Sequence, residues 1–216
     1  MINPKLSPYV PVVRWERLFE DLEGQLEAEW ESERAALDSE SERLRLSRVR
    51  LRDRLVAFGS PGSPEHLALA TADGSTLRGT IEAVGADFLA LRVGDAPSGT
   101  ALVRIDAVVS ITAAEASMLR SARPEAERAR AGLAERMTLG FVLRDLARRR
   151  SAVRVHALHG DVQTGTIDRV GADHLDLAVH EPGTPRRTGE VRAHRILPFT
   201  GIAWIRLEPG ESPTLV

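Results

Sequence analysis

The sequence predicts an α+β protein in which a long N-terminal helix and a helical connector accompany two tandem five-stranded β-barrels. Three observations predict this fold: a helix-period stripe near the N-terminus, a change to period-two alternation after residue 66, and an internal repeat of the alternating segment. The expected flexible N-terminus, helix, first barrel, connector, second barrel and tail comprise residues 1–13, 14–58, 66–112, 114–150, 152–207 and 208–216.

The segment 14–58 has the pattern of one long helix. It contains no proline, and its apolar residues recur every three or four positions and then every seven. From Arg14 to Glu42 there are eleven acidic residues against three arginines, whereas Arg43 to Arg54 holds six arginines against one aspartate. Such charge runs are typical of a solvated helix face, and also of a coiled coil or a partner-docking arm. The candidate partner-binding stripe is Trp15, Leu22, Trp30, Leu37, Leu44 and Leu51.

One segment occurs twice at a constant offset of 86 residues, at 74–93 and at 160–179, with eleven identities in twenty positions. In each copy a glycine makes a hairpin turn, and a second glycine five residues later lets the next strand bend. An aspartate in the following turn is expected to bond backbone amides. The alternating leucines that follow point to one side of a third strand. These structural positions are Gly74, Gly79, Asp87, Gly160, Gly165 and Asp173.

The repeated frame resembles the Sm-like family, which includes eukaryotic Sm proteins and bacterial Hfq. The matching residues are the G-x-x-x-x-G-x-I pattern that starts at Gly74 and at Gly160, with the aspartate and leucines of 87–91 and 173–177. The resemblance implies short, bent strands closed into barrels, ring assembly through edge strands, and binding of single-stranded RNA. Two barrels in one chain would pair through their outer strands and form a closed pseudo-dimer instead of a ring.

The residues that read RNA bases in this family are replaced here. The stacking position falls on Phe88 and His174, and the position of the base-reading asparagine falls on Ala90 and Asp176. Neither replacement supplies an amide donor, and the second motif of the family, which contains Arg-Gly, is absent. Phe88 is therefore also expected as a core or rim aromatic residue, and His174 as an exposed turn histidine. Sequence-specific reading of uridine is not expected.

Arginines cluster around the second repeat, although the chain as a whole has a net charge of −2. A contact of this cluster with a phosphate backbone would be salt-dependent and weakly specific. The alternative is a surface decoration in a chain with 28 arginines and one lysine. The candidate nucleic-acid-binding residues are Arg148, Arg149, Arg150, Arg154, His174, Arg186, Arg187, Arg192 and Arg195.

The sequence predicts no enzymatic activity, metal site or cofactor. His156 and His159 have an i, i+3 spacing, but on a strand they face opposite sides, which favours turn and surface histidines. The absence of cysteine excludes disulfides and thiolate metal sites. No apolar run reaches the length of a membrane span or of a signal peptide, so a cytoplasmic location without membrane association is expected.

Two functions from different classes fit these patterns. In the first, the second repeat binds the backbone of RNA and the N-terminal helix recruits a protein partner. In the second, the repeats are assembly modules that bind no nucleic acid, and the helix associates with a protein or with itself. Loss of the base-reading asparagine favours the assembly function, whereas the arginine cluster favours RNA.

Overall fold

The computed structural model describes residues 13–59, 65–94, 99–123, 136–183, 187 and 189–207. The chain forms two compact units, residues 1–48 and residues 49–216. In the described part, the first unit consists of a helix, and the second contains three further helices and ten strands. The helices are α1 (Val13–Ser47), α2 (Leu51–Phe58), α3 (Glu115–Ser121) and α4 (Leu139–Arg149).

The segment expected as one helix is two helices, because the backbone leaves the helical conformation before Leu51. The last turn of α1 tightens, since the Arg48 N–H donates to the Arg45 carbonyl at 3.2 Å, and the Ser47 hydroxyl donates to the Leu44 carbonyl at 2.8 Å. Arg50 is extended, with φ −83° and ψ 152°, and its backbone N–H donates to the Asp53 carboxylate at 3.3 Å. This contact stabilises a new helix start. Leu51, which was expected to continue the stripe of the long helix, therefore begins α2.

The second unit contains a ten-stranded antiparallel sheet. Its strand order is β5-β1-β2-β3-β4-β10-β6-β7-β8-β9, so each repeat contributes five neighbouring strands. The strands are β1 (Leu67–Thr71), β2 (Thr76–Val84), β3 (Phe88–Val93), β4 (Gly99–Arg104), β5 (Val108–Thr112), β6 (Ala152–Ala157), β7 (Val162–Val170), β8 (His174–Val179), β9 (Ala193–Pro198) and β10 (Ile202–Leu207).

The prediction of two closed five-stranded barrels is wrong. Closure would require the fourth and fifth strands of one repeat to pair with each other. Instead β4 pairs with β10, the last strand of the other repeat, through Val103 opposite Trp204 and Leu102 opposite Ile205. The repeats thus pair through outer strands, as expected, but the expected closed pseudo-dimer does not form, because β5 and β9 remain the two ends of one open sheet.

The repeated glycines occupy equivalent places in the two halves. Gly74 and Gly160 both have a φ of 85°, which favours glycine in a turn. A Cβ on Gly79 would lie 1.8 Å from the Arg92 carbonyl oxygen, and one on Gly165 would lie 2.2 Å from that of Ala178. These two positions therefore require glycine because the neighbouring strand passes directly over them.

The sheet has a hydrophobic cluster on each face, and β3 and β10 contribute to both. Leu89, Leu91 and Val93 join the cluster on which α2 packs, whereas Phe88 and Ala90 join the cluster on which α4 packs. Since alternate residues of a strand face opposite sides, the apolar run of β3 is buried on both faces.

The segment expected as a helical connector contains α3 and α4, with residues 124–135 outside the described part. The expected N-terminal segment 1–13, apart from Val13, and the tail 208–216 also lie outside it. Within the described ranges, none of the helices combines the length and the apolar character that crossing a membrane requires.

Candidate nucleic-acid interface

Helix α4 forms one wall of a groove on the second repeat. The Thr138 side chain accepts a hydrogen bond from the Phe141 backbone N–H at 3.4 Å and caps the start of the helix, which ends at Arg150 in the left-handed conformation. Its apolar face is buried against the sheet. The opposite side presents Phe141, Arg144 and Arg148 to solvent.

The other wall is formed by the C-terminal end of β7 and by the exposed end strand β9. Two adjoining depressions of about 660 and 560 Å³ follow this boundary and share Ala147, Asp168 and Arg169. We call them together the arginine groove, whose lining residues all belong to the second repeat and α4. They are Phe141, Arg144, Ala147, Arg148, Arg150, Ile167, Asp168, Arg169, Val170, Asp176, His194, Arg195 and Ile196.

The groove concentrates positive charge in a chain of negative net charge. Five arginines line it against two aspartates, Asp168 and Asp176. Asp176 lies opposite Arg169 in the pairing of β7 with β8, and the Asp168 carboxylate lies 3.7 Å from His194 Nδ1. The two carboxylates therefore offset part of the positive charge, and the lining keeps an excess of three cationic side chains.

Two of the groove arginines have contacts that orient them. Arg144 donates to the Gly171 carbonyl at 2.9 Å, which ties α4 to the turn between β7 and β8. Arg148 pairs with Asp145 at 2.9 Å on the exposed side of α4. Both side chains remain exposed at the groove, so these contacts leave guanidinium N–H groups for an anion.

An exposed aromatic ring lies at one end of the groove. Phe141 is 53% exposed although its helix neighbours Val142 and Leu143 are fully buried. A phenyl ring beside arginines is the combination that proteins use to bind single-stranded nucleic acids, since bases stack on the ring and the arginines contact the backbone. The groove therefore has both elements of a non-specific single-strand site.

The predicted binding residues are only partly brought together. Arg148, Arg150 and Arg195 line the groove. Arg149 pairs with Asp145 at 3.1 Å, and Arg192 pairs with Glu181 at 2.5 Å away from the lining.

The remaining candidates lie elsewhere. Arg154 lies on β6 opposite Arg206 of β10, in the interior of the sheet order. Arg187 is exposed in the connection between β8 and β9, and Arg186 lies outside the described residues.

The two positions that resemble a base-stacking site differ. Phe88 is completely buried in the cluster under α4, so it is a core residue. His174 is half-buried, with 43% of its side chain exposed, and its Nδ1 lies 2.8 Å from the Asp173 carboxylate. That hydrogen bond holds the pKa of Asp173 below its usual value. Ala90 is buried, while Asp176 lines the arginine groove.

Sequence reasoning missed Phe141, Arg144, Arg169 and His194. Arg144 and Arg148 are separated by four residues in an amphipathic segment, which is a signal that both lie on one exposed helix face. Arg169 has no such signal, because it approaches α4 only when β7 packs beneath the helix. The groove is therefore a product of tertiary packing.

A second polar cluster lies at the junction of the two repeats. Asp73, in the turn between β1 and β2, accepts hydrogen bonds from Thr71, from Ser75 and from Trp204 Nε1, the last at 3.0 Å. His156 stacks on the Trp204 indole with ring centroids 3.5 Å apart, and its Nδ1 lies 3.8 Å from the Asp73 carboxylate. The expectation of a surface histidine is therefore wrong for His156.

The charge states at this junction follow from burial and hydrogen bonding. Burial lowers the pKa of His156 to about 4 and outweighs the opposing attraction of Asp73. Burial opposes ionisation of Asp73, but hydrogen bonds from Thr71, Ser75 and Trp204 outweigh it and lower the pKa. The junction is thus a neutral imidazole beside an ionised carboxylate. It joins the two repeats, since Asp73 belongs to the first repeat and His156 and Trp204 belong to the second.

The described residues contain no group of three or more histidine, aspartate or glutamate side chains arranged to hold a metal ion. His156 and His159 do not form such a group. Comparison of the chain with protein-family models, with curated proteins and with solved structures found no match.

Proposed function

We propose that the protein binds the sugar-phosphate backbone of single-stranded RNA in the arginine groove. The observation that carries this proposal is the excess of arginines over aspartates along one groove that ends at the exposed Phe141 ring. Arginine forms bidentate hydrogen bonds with phosphate oxygens, and the aromatic ring offers a stacking surface to any base. The protein is proposed to act in the cytoplasm without catalysing a reaction.

The expected mode of binding is weak and independent of sequence. The groove offers guanidinium groups that position a backbone, but the asparagine position of the Sm-like resemblance is Ala90 in one repeat and Asp176 in the other. Asp168 and Asp176 repel phosphate and confine the backbone to the arginine side of the groove. The resemblance of the repeats to Sm-like proteins supports RNA as the class of ligand.

The test is the salt dependence of binding of a fluorescent twelve-nucleotide RNA of mixed sequence, measured by anisotropy between 50 and 200 mM salt. The Arg169→Gln/Arg195→Gln variant removes two groove charges, both on exposed side chains. We expect affinity to fall about tenfold at low salt, and the slope of log K against log salt to fall by about 1.4, since each contact contributes about 0.7 for a single strand.

The matched control is Arg78→Gln/Arg120→Gln, which removes two exposed arginines that lie outside the second repeat and α4. The control has the same net charge as the groove variant, so it shows how much RNA binding weakens when two positive charges are lost outside the groove. Phe141→Ala is expected to weaken binding about tenfold while leaving the salt slope unchanged, because stacking releases no counterions. Equal losses in the groove variant and the control, or no binding by the unmodified protein at 50 mM salt, would overturn the proposal.

A second candidate function is protein assembly without nucleic acid, and one observation favours it. The apolar residues of α1 from Phe19 to Leu44 are exposed along the helix, as in a helix that binds another polypeptide. In that case the RNA titration shows no groove-dependent binding, and the protein partner is the primary ligand.

A further inference from the structure

Helix α1 carries an uncovered apolar stripe. Five of its apolar residues follow one another at separations of 7, 4, 7 and 7 positions. On a helix of 3.6 residues per turn these five residues therefore fall within about 40° of one another around the helix axis. Between 52% and 63% of each of these residues is exposed. None of the described side chains from residue 19 to residue 47 is buried. The stripe consists of Phe19, Leu26, Trp30, Leu37 and Leu44.

The charges along α1 are distributed unequally between its two ends. Residues 20–42 carry ten acidic side chains and one arginine, Arg34. The last turns then carry Arg43 and Arg45, which lie beside Glu40 at 3.9 Å and Glu42 at 2.7 Å in the same helix. Arg43 nevertheless has 78% of its side chain exposed, so it presents charge to solvent.

This distribution decides the direction in which two such helices can pair. In a parallel pair the acidic stretch of one helix lies beside the same stretch of the other, and like charges repel. In an antiparallel pair the arginine end of each helix lies beside the acidic stretch of its partner. The apolar stripe is compatible with both directions, whereas the charge pattern favours only the antiparallel one.

We propose that α1 pairs with α1 of a second copy of this chain in an antiparallel coiled coil. Leu37 lies near the two-fold axis, so that Leu44 of each chain packs beside Trp30 of the other. Because α1 ends at Ser47, this register pairs residues 27–47 and places Phe19 and Leu26 beyond the end of the partner helix. This register places Arg43 and Arg45 within one turn of Glu29 and Glu31 of the second copy, because residues symmetric about position 37 face each other. The contact is isologous, and the resulting assembly is a closed dimer.

Dimerisation through α1 is separate from the proposed RNA binding and does not depend on it. A dimer would carry two arginine grooves and gain avidity for a long RNA. Dimer formation is measured without RNA, and RNA binding is measured on a twelve-nucleotide strand. If one of the two proposals is wrong, the other can therefore still be tested.

The test uses the absence of cysteine from the chain. Glu20→Cys and Asp38→Cys variants each receive one spin label, and pulsed electron resonance measures the distance between labels of two chains. The two positions are 18 residues apart, which is five helical turns, so both labels project from the same side of α1. Both side chains are exposed and lie beside the stripe, so labelling leaves it intact.

An antiparallel pair centred on residue 37 gives a short distance, about 15 Å, between labels at position 38. It gives roughly 50 Å between labels at position 20, since 34 residues at ~1.5 Å separate them along the axis. Short distances at both positions would show a parallel pair and overturn the proposal. No distance between chains at either position, together with a monomeric mass in sedimentation, would overturn it as well and would leave another protein as the occupant of the stripe.

A pair of matched variants tests the stripe itself. Leu37→Glu/Leu44→Glu is expected to weaken dimerisation at least a hundredfold in sedimentation equilibrium, because it places four carboxylates in the seam of the dimer. Ala28→Glu/Ala35→Glu adds the same charge on the opposite, exposed side of α1 and is expected to change the dissociation constant of the dimer less than threefold. Equal effects of the two variants would contradict the assignment of the seam. Circular dichroism checks that the helix and the sheet remain folded.

Discussion

The fourth strands of the two repeats occupy equivalent places in the strand order but lie in different environments. β4 is covered on both edges, by β3 and by β10, whereas β9 pairs only with β8 and ends the sheet. Ala101 on β4 faces Leu91, and Arg195 on β9 faces the equivalent Leu177. The inner strand carries a small buried residue at this position, and the end strand carries an exposed arginine of the groove.

A similar difference occurs where the first and fifth strands of each repeat pair. In the first repeat Ala70 lies opposite Ser110, and in the second repeat the equivalent pair is His156 and Trp204. Only the large pair reaches across to the other repeat, where Trp204 bonds Asp73. The second repeat therefore supplies an aromatic contact with the first repeat, in addition to the pairing of β4 with β10, and it also supplies the surface proposed to bind RNA.

The largest effect should come from exchanging the residues that follow the repeated turn. Phe88→His places an imidazole in a completely buried site, whose lining belongs to the apolar cluster under α4, and is expected to lower the free energy of unfolding by about 3 kcal/mol. His174→Phe changes a side chain that is 43% exposed and should alter the free energy of unfolding by less than about 1 kcal/mol. Urea unfolding measures both, and similar losses would show that the two turns are packed alike.

The sequence predicted what is local to each repeat. The constant offset placed Gly74 and Gly160 in equivalent turns with the same φ, and Gly79 and Gly165 beneath a neighbouring strand. Turn conformation and close backbone approach depend on residues a few positions apart, so a single sequence carries their signal.

The way in which the two repeats pair could not be predicted from such local signals. Strand β4 pairs with its neighbour through backbone hydrogen bonds, which any residue can make. The alternation of apolar and polar residues is therefore the same whether β4 closes a barrel with β5 or pairs with β10. The burial of Phe88 likewise depends on α4, which lies about fifty residues further along the chain. Arg144 and Arg169 become neighbours for the same reason, and the groove could be only partly predicted.

A smaller effect is expected from the pH dependence of the junction. His156 has a pKa of about 4 in the folded protein and an ordinary value of 6.5, so between these values the unfolded chain binds a proton that the folded chain excludes. The free energy of unfolding should therefore fall by about 2 kcal/mol as the pH is lowered from 7 to 4. The lowered pKa of Asp73 extends the loss below pH 4.

Arg154 and Arg206 also disfavour the charged imidazole, whereas Asp73 favours it, so the net direction rests on burial. His156→Phe keeps an aromatic ring against Trp204 and should remove the slope between pH 4 and 6.5. Thermal unfolding at a series of pH values measures the slope in both proteins, and an unchanged slope in the variant would assign it to other groups.

The smallest effect concerns the aspartates of the repeated turn. Both were expected to bond backbone amides of their own turns, but Asp87 Oδ1 accepts a hydrogen bond from the Leu139 N–H at 2.7 Å, at the first residue of α4. Asp173 instead accepts one from His174. Asp87→Ala should lower the free energy of unfolding by about 1 kcal/mol because α4 loses a cap on an otherwise unpaired amide.

Asp173→Ala is the matched control and should cost less than about 0.5 kcal/mol, since the Asp173 side chain is 89% exposed. Both aspartates keep their backbone contact in these variants, from Ile105 N–H to Asp87 and from Phe199 N–H to Asp173, so the turns themselves are preserved. Hydrogen exchange of the Leu139 amide locates the effect: faster exchange in Asp87→Ala alone is the expected result. Equal stability of the two variants would show that α4 is held by its apolar face and does not depend on the first repeat for its cap.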